Sequence, residues 1–226
     1  MDLAIVLDGW EYDEDDETNN VRKIVGVDGG LKLQIRVRDG AIQWEADGRP
    51  DAQRPYGFES VLEYCRHLAA ECEAAGGQVA EAGLQLNAEL VEELGEELLD
   101  YSRRRQVLFL LCDYRRALRD AVHGLQVLDL IQRSAPDDAH TLRHMRLRPQ
   151  LIADRGRAEA LLAIQRERLK DALLALTSGI REIEKFHLLN AAGSDVGECS
   201  ERRMLVDFRR SLRGRVRRGQ GRLGVQ

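Results

Sequence analysis

The spacing of apolar residues changes once along this chain, and that change restricts the folds available to it. Between Leu31 and Val37 apolar and polar residues alternate, which is the period-two pattern of a half-buried β-strand. From Phe58 onward apolar residues recur every three or four positions, as on one face of an α-helix. A strand segment followed by helices predicts the α+β class.

Turn signals on both sides of this strand predict two more strands. Asp28-Gly29-Gly30 precedes it and Asp39-Gly40 follows it, and both runs suit the positive φ angles of hairpin turns. Residues 21–27 and 41–45 would pair with the central strand in a three-stranded antiparallel meander. Such a sheet is too small to be stable alone. We therefore expect the next helix, residues 58–75, to cover its apolar face.

The periodicity predicts that the rest of the chain is helical. The predicted helices cover residues 58–75, 87–112, 113–133, 138–165 with a kink at Pro149, 169–188 and 198–212. The predicted organisation has four units: a solvated acidic arm (1–20), the meander with its helix (21–77), a helical array (78–190), and a C-terminal unit (191–226). The last unit combines a linker, a charged helix and an Arg/Gly-rich tail, which we expect to be disordered from Arg213 onward.

Charge is unevenly distributed along the chain. The net charge is −5, yet residues 1–20 carry eight acids and no base, and residues 201–226 carry nine Arg and two acids. This balance argues against nucleic-acid binding over the whole surface. The longest apolar run, residues 107–112, is too short to span a membrane, and the N-terminus lacks a secretion signal. We expect a cytoplasmic protein without a membrane partner.

A short motif occurs twice, 55 residues apart. Asp113-Tyr114-Arg115-Arg116-Ala117-Leu118 corresponds to Arg168-Leu169-Lys170-Asp171-Ala172-Leu173, and a glycine follows each Ala by seven residues. The pattern resembles the tetratricopeptide repeat, whose second helix opens with an acidic residue and a Tyr before an Ala-Leu pair. The period is longer than the usual ~34 residues. The resemblance implies a tetratricopeptide-like array of antiparallel helical hairpins over residues 98–185, and a generic antiparallel bundle is the alternative.

A second resemblance rests on residues 21–60. The runs Val21-Arg22-Lys23-Ile24-Val25-Gly26, Asp47-Gly48-Arg49-Pro50-Asp51 and Arg54-Pro55-Tyr56-Gly57-Phe58 are similar to those of bacterial, planctomycete-type UVR-motif (UvrB/UvrC motif-containing) proteins. In that family a short C-terminal helical hairpin serves protein–protein contact in excision repair and in protease adaptors. The residues here from Arg213 onward are Arg/Gly-rich and contain no such hairpin.

The residues that could carry chemistry form no catalytic set. His140 and His144 have the i, i+4 spacing of a helical metal pair, but no third ligand accompanies them, and exposed helix positions are the favoured interpretation. The sequence lacks a P-loop, a dinucleotide-binding glycine pattern and a nucleophile elbow. We therefore expect no enzymatic activity, no cofactor and no metal site.

Two basic regions are candidate binding sites. The first is an electropositive groove of the helical array that would hold another protein or an acidic peptide, centred on Arg104 and lined by Tyr101, Arg105, Phe109 and Arg116. The second is the C-terminal arginine set, which would contact phosphates: Arg209, Arg210, Arg213, Arg215, Arg217 and Arg218. The leading hypothesis is an adaptor that uses the groove, and the alternative is a repair-related, nucleic-acid-associated protein.

Overall fold

The computed structural model describes Leu7 and residues 9–76, 83–190 and 199–217. Strands β1 (Val21–Val25), β2 (Leu31–Val37) and β3 (Gly40–Glu45) form one antiparallel sheet in the order β1-β2-β3. The helices are α1 (Val61–Ala75), α2 (Ala88–Leu110), α3 (Tyr114–Ser134), α4 (Asp138–Met145), α5 (Arg148–Gln165), α6 (Leu169–Asn190) and α7 (Ser200–Arg217). The predicted α+β class and the three-stranded meander are confirmed.

The apolar face of the sheet is covered by α2 and α3. Leu33 of β2 is fully buried in a cluster with Val107 of α2 and Ala117 of α3. The prediction that the next helix covers this face is wrong, because α1 joins the larger helical core through Val61 and Leu62. The sheet is thus attached to one end of the first helical hairpin.

The opposite face of the sheet contacts the segment that precedes β1. The guanidinium of Arg22 lies 3.9 Å from the centroid of the Trp10 ring, and Arg36 Nε donates a hydrogen bond of 2.9 Å to the Trp10 carbonyl. Lys32 and Gln34 lie on this face as well, because polar residues alternate with apolar ones along β2. Both are buried, although a polar face of a sheet is normally exposed to solvent. Trp10 thus holds this part of the acidic arm against the sheet.

The long helices pack as consecutive antiparallel hairpins. In the first hairpin, Arg104 of α2 contacts Asp120 of α3, and Tyr101 of α2 contacts His123 of α3. The contact partners on α3 increase in residue number as those on α2 decrease, so the two helices are antiparallel. The same opposition holds for α5 with α6, where Arg155 pairs with Glu182. Helix α3 also packs along α5, and α7 packs along both α5 and α6.

The two copies of the motif begin at turns with the same backbone geometry. Cys112 and Glu167 both have left-handed conformations, with φ of 53° and 58°. In the first turn the N–H groups of Cys112 and Asp113 donate to the carbonyls of Phe109 and Leu108, and the second turn repeats both bonds 55 residues later. This is the Schellman arrangement that ends helices, in which glycine normally occupies the left-handed position. The repeat in the sequence therefore corresponds to a repeated structural unit.

Replacing Glu167 with Gly is expected to stabilise the fold by about 1 kcal/mol, because a left-handed non-glycine residue costs roughly 1–2 kcal/mol. Glu167 is exposed, and its side chain makes no ion pair with the described residues. Thermal and urea unfolding would measure the change. Two controls separate the backbone effect from other effects of the substitution. Glu167→Ala removes the side chain but keeps a non-glycine residue in the left-handed conformation. Arg166→Gly introduces a glycine at a residue with φ of −96°, where no left-handed conformation is relieved. Stabilisation by either control of the same size would contradict the explanation.

Small residues after each turn allow the helices to approach closely. Ala117 and Ala172 are fully buried, as the motif predicts. A Cβ added at Gly124 would lie 2.8 Å from a Leu151 methyl carbon, and one added at Gly179 would lie 2.9 Å from a Leu205 methyl carbon. The two glycines are therefore packing positions between helices of adjacent hairpins.

Two helix boundaries differ from the prediction. The helix expected over residues 138–165 is divided into α4 and α5, and Pro149 lies in the first turn of α5. Proline is tolerated there because backbone N–H groups in the first turn of a helix have no acceptor within the helix. Helix α7 continues to Arg217, because Leu205 and Leu212 are buried against its neighbours. The tail expected to be disordered from Arg213 is thus helical to Arg217, and its remaining residues lie outside the described ones. No described helix is both long enough and apolar enough to cross a bilayer.

Candidate partner-binding site

Arg104, the expected centre of the groove, lies in the protein core. Its side chain has no solvent exposure, and its Nε and Nη2 atoms donate two hydrogen bonds of 2.8 Å to the equally buried carboxylate of Asp120. Its Nη1 atom donates to the carbonyls of Glu45 and Gly48 at 2.9 and 2.8 Å. Arg104 therefore joins α2, α3 and the loop after β3, and the prediction that it meets an external partner is wrong.

Three other residues of the predicted groove also have internal roles. Arg105 is 1% exposed and donates to Asp154 of α5 at 2.8 Å. Tyr101 is buried and stacks on His123 with ring centroids 3.9 Å apart. Phe109 packs against the core beneath the sheet. These side chains line no open groove.

The loop between β3 and α1 is held by a second buried carboxylate. Glu97 of α2 has no solvent exposure and accepts hydrogen bonds from the N–H groups of Val61 and Leu62 at the start of α1, at 2.7 and 3.3 Å. Arg49 Nη1 donates to Glu97 at 2.9 Å, and His123 Nε2 lies 2.9 Å from its other oxygen. Burial alone would raise the pKa of Glu97, but His123 above all, together with the N–H groups of Val61 and Leu62, holds this pKa below its usual value.

An open cleft lies beside this loop, where the N-terminal half of α3 faces Asp47. The cleft has a volume of about 590 Å³ and is lined by Asp47, Arg115, Arg116, Leu118 and Arg119. We call it the arginine cleft. Of the five groove residues predicted from sequence, Arg116 lies here. Arg119 follows Arg115 by four residues and Arg116 by three, so it shares a helix face with each of them, and all three line the cleft.

Asp47 balances only part of the positive charge in the arginine cleft. Arg116 donates to both of its oxygens, at 2.9 and 2.7 Å, and Arg119 pairs with it as well. The hydrogen bonds from Arg116, with a smaller contribution from Arg119, lower the pKa of Asp47 to about 2. Arg115 is exposed and makes no ion pair with the described residues. Arg116 also pairs with Asp113, and Arg119 with Asp120, both at 3.0 Å. Arg116 and Arg119 are therefore balanced within the protein, and Arg115 supplies the positive charge that is open to a partner.

A smaller pocket continues from the arginine cleft on the other side of Leu118. It has a volume of about 240 Å³ and also contacts Leu162 and Ala163 of α5 and Arg166 in the second turn. Arg166 is exposed and makes no ion pair with the described residues. Glu159 and the Arg168–Asp171 pair line this pocket as well, so its charge is mixed. The combined surface has an apolar floor next to the positive charge of Arg115, which suits an extended segment that carries both acidic and apolar side chains.

The predicted C-terminal phosphate contacts are only partly exposed. Arg209 is half-buried against α6, with Nη1 3.4 Å from Thr177 Oγ1, and Arg210 pairs with Asp207 at 2.8 Å. Arg213 and Arg215 are exposed on α7 and make no ion pair with the described residues. Nothing is described of the side chain of Arg217, and Arg218 lies outside the described residues.

Of the histidine pair, the structure describes the side chain of His144 but not that of His140. His144 is buried and packs against Gly95 of α2, which differs from the exposed position expected for it. Among the side chains that the structure describes, no three of His, Cys, Asp or Glu are grouped so as to hold a metal ion.

Asp47 is the residue of the arginine cleft that sequence reasoning missed. It lies 69 residues before Arg116, in a run that reads only as a turn, and no periodic pattern connects the two. Leu118 was part of the repeated motif, but the motif gave no sign that it separates two pockets.

No protein-family model, curated protein or solved structure matches this chain. The resemblances to tetratricopeptide repeats and to UVR-motif proteins therefore stay predictions from its residues.

Proposed function

We propose that this chain is an adaptor without enzymatic activity that binds an acidic, leucine-containing segment of another protein in the arginine cleft. The observation that carries the proposal is an open cleft lined by three guanidinium groups, of which Arg116 and Arg119 are paired with carboxylates and the exposed Arg115 makes no ion pair with the described residues. Guanidinium groups donate paired hydrogen bonds to carboxylates, so they recognise Asp and Glu side chains with defined geometry.

The ionisable groups of the arginine cleft favour binding over catalysis. Arginine stays protonated in proteins, and Asp47, with a pKa of about 2, stays ionised at neutral pH. Neither group changes its protonation state near pH 7, as a general acid or base must. The remaining lining residue, Leu118, offers only apolar contact.

Nucleic acid is the alternative partner, supported by the exposed Arg213 and Arg215 of α7. The arginine cleft suits a peptide better, for two reasons. Its floor is formed by leucine side chains, and its lining contains no aromatic ring on which a base would stack. The net charge of −5 also opposes a long polyanion more than a short acidic segment.

Fluorescence anisotropy with two labelled probes tests the proposal. One probe is a peptide in which Asp and Glu alternate with Leu, and the other is a single-stranded oligonucleotide. We expect saturable peptide binding that Arg115→Glu weakens about tenfold or more, since a rim charge is reversed. Arg203→Glu on α7 is the matched control, because Arg203 is also exposed and without an ion pair among the described residues.

Each outcome distinguishes the two partners. Peptide binding that is lost in Arg115→Glu and kept in Arg203→Glu supports the adaptor. Tighter binding of the oligonucleotide, with a steep salt dependence and no effect of Arg115→Glu, would replace it with the nucleic-acid alternative. Peptide binding that is insensitive to Arg115→Glu would exclude the arginine cleft.

A further inference from the structure

A second cavity lies on a different side of the helical array, between α5 and α6. Its volume is about 550 Å³, within the range of small-molecule sites. Met145 and Phe186 form its apolar wall, and Arg181 and Lys185 of α6 line it as well. We call it the α5–α6 cavity.

Among the described residues, two bases that line the α5–α6 cavity have no counter-ion. Arg148 lies 2.7 Å from Asp129, and Glu182 pairs with Arg155, so these side chains are balanced within the protein. Arg181 and Lys185 are exposed and make no ion pair with the described residues. They are four residues apart on α6 and therefore on one face, where like charges repel. An anion in the cavity would relieve this repulsion.

The rim of the α5–α6 cavity also exposes a large apolar side chain. Leu189 lines the cavity and is 73% exposed, next to Leu188 at 77%. Exposed apolar surface of this kind, beside an apolar wall, marks a ligand or partner site when it is contiguous with polar groups. The cavity thus combines an apolar wall, an apolar rim and two unbalanced positive charges.

We infer that the α5–α6 cavity binds an amphipathic anion, a molecule with one carboxylate or phosphate on an aliphatic body. The aliphatic body lies against Phe186 and Leu189, and the anionic group meets Arg181 and Lys185. This site is separate from the arginine cleft and does not depend on the adaptor proposal.

Isothermal titration with decanoate and with decyl phosphate tests the inference on the full chain. Acetate supplies the charge without the aliphatic body, and decylamine supplies the body with the opposite charge. We expect both decyl anions to bind at one site, and acetate and decylamine to show no saturable binding. The double variant Arg181→Glu with Lys185→Glu should lower the affinity about tenfold or more, because hydrogen bonds to charged groups are lost. Both positions are exposed, so this variant keeps the fold.

A variant that fills the cavity gives a second, independent measurement. Ser178 is exposed and lines the cavity, so Ser178→Trp should block the decyl anions without disturbing the core. Lys170→Glu is the matched control, since Lys170 is an exposed base on the same helix that does not line the cavity. Loss of binding in both cavity variants, with the control unchanged, supports the inference. Unchanged binding in Ser178→Trp overturns it, and so does binding to anionic phospholipid vesicles without binding to free decanoate.

Discussion

Replacing Asp120 with Asn is expected to destabilise the protein by about 3–5 kcal/mol, the cost of leaving one member of a buried ion pair without its partner. Asp120 and Arg104 are both fully buried and share two hydrogen bonds of 2.8 Å. The amide of Asn supplies a single acceptor and no charge, so the guanidinium of Arg104 stays in the core uncompensated. Urea unfolding would measure the loss as a lower midpoint.

An exposed pair of the same residue types is the control for Asp120. Asp171 pairs with Arg168 three residues earlier, and their side chains are 44% and 61% exposed. Asp171→Asn should change the free energy of unfolding by less than about 0.5 kcal/mol, because exposed ion pairs contribute little. A loss below about 1 kcal/mol for Asp120→Asn would contradict the buried role of the pair.

The buried position of Arg104 also changes how partner-binding experiments should be designed. A charge reversal there would place a carboxylate beside Asp120 and would disrupt folding, so loss of binding could not be assigned to a surface. Arg115 is exposed and without an ion pair among the described residues, and it reports on the arginine cleft directly.

The meander and the repeat were predictable from sequence because both follow from local patterns. The alternation in β2 and its flanking turn residues define the hairpins, and these lie between residues close in sequence. The repeat was visible because Ala117 and Ala172 are each followed by a leucine and, seven residues later, by a glycine, and these positions lie in helices that begin at turns of the same geometry. The cover of the sheet was not predictable, because it depends on how a whole hairpin packs against the meander.

The burial of Arg104 could have been inferred from the predicted hairpin of residues 87–112 and 113–133, although a charged residue type such as arginine is usually expected at the surface. Arg104 and Asp120 are each eight residues from Cys112, so an antiparallel hairpin that turns there places them opposite one another. Arg105 and Asp154 have no such relation, because they lie in different hairpins. Asp47 is likewise beyond the reach of periodicity, since its contact with Arg116 depends on where the loop after β3 lies.

The residues on which the UVR-motif resemblance rests have structural roles in this chain. In the run from Asp47 to Asp51, Asp47 pairs with α3 and Arg49 pairs with Glu97. Gly48 has φ of 65°, and its carbonyl accepts a hydrogen bond from Arg104. These residues fasten the meander to the first helical hairpin, which accounts for their presence without any ligand.

Glu97 is the second position where a large loss of stability is expected. Replacing it with Gln should cost about 2–4 kcal/mol at pH 7, because the charged bonds to Arg49 and to the start of α1 are lost. Urea unfolding would again provide the measurement. Glu96→Gln is the matched control, since Glu96 is the exposed neighbour on the same helix and should change stability by less than about 0.5 kcal/mol.

The pH dependence of the same variant identifies the ionised carboxylate as the source of the effect. The pKa of Glu97 is lowered in the folded state from 4.5, so its contribution is fully present above pH 4.5 and is lost as the pH falls through the folded-state pKa. The difference in unfolding free energy between the natural protein and Glu97→Gln should therefore narrow below pH 4.5. Other acids with lowered pKa values, such as Asp47 and Asp113, are present in both proteins, and their effects cancel in the difference. If the difference in unfolding free energy between the two proteins stayed constant as the pH falls below 4.5, Glu97 would stabilise the fold through its shape and not through its charge.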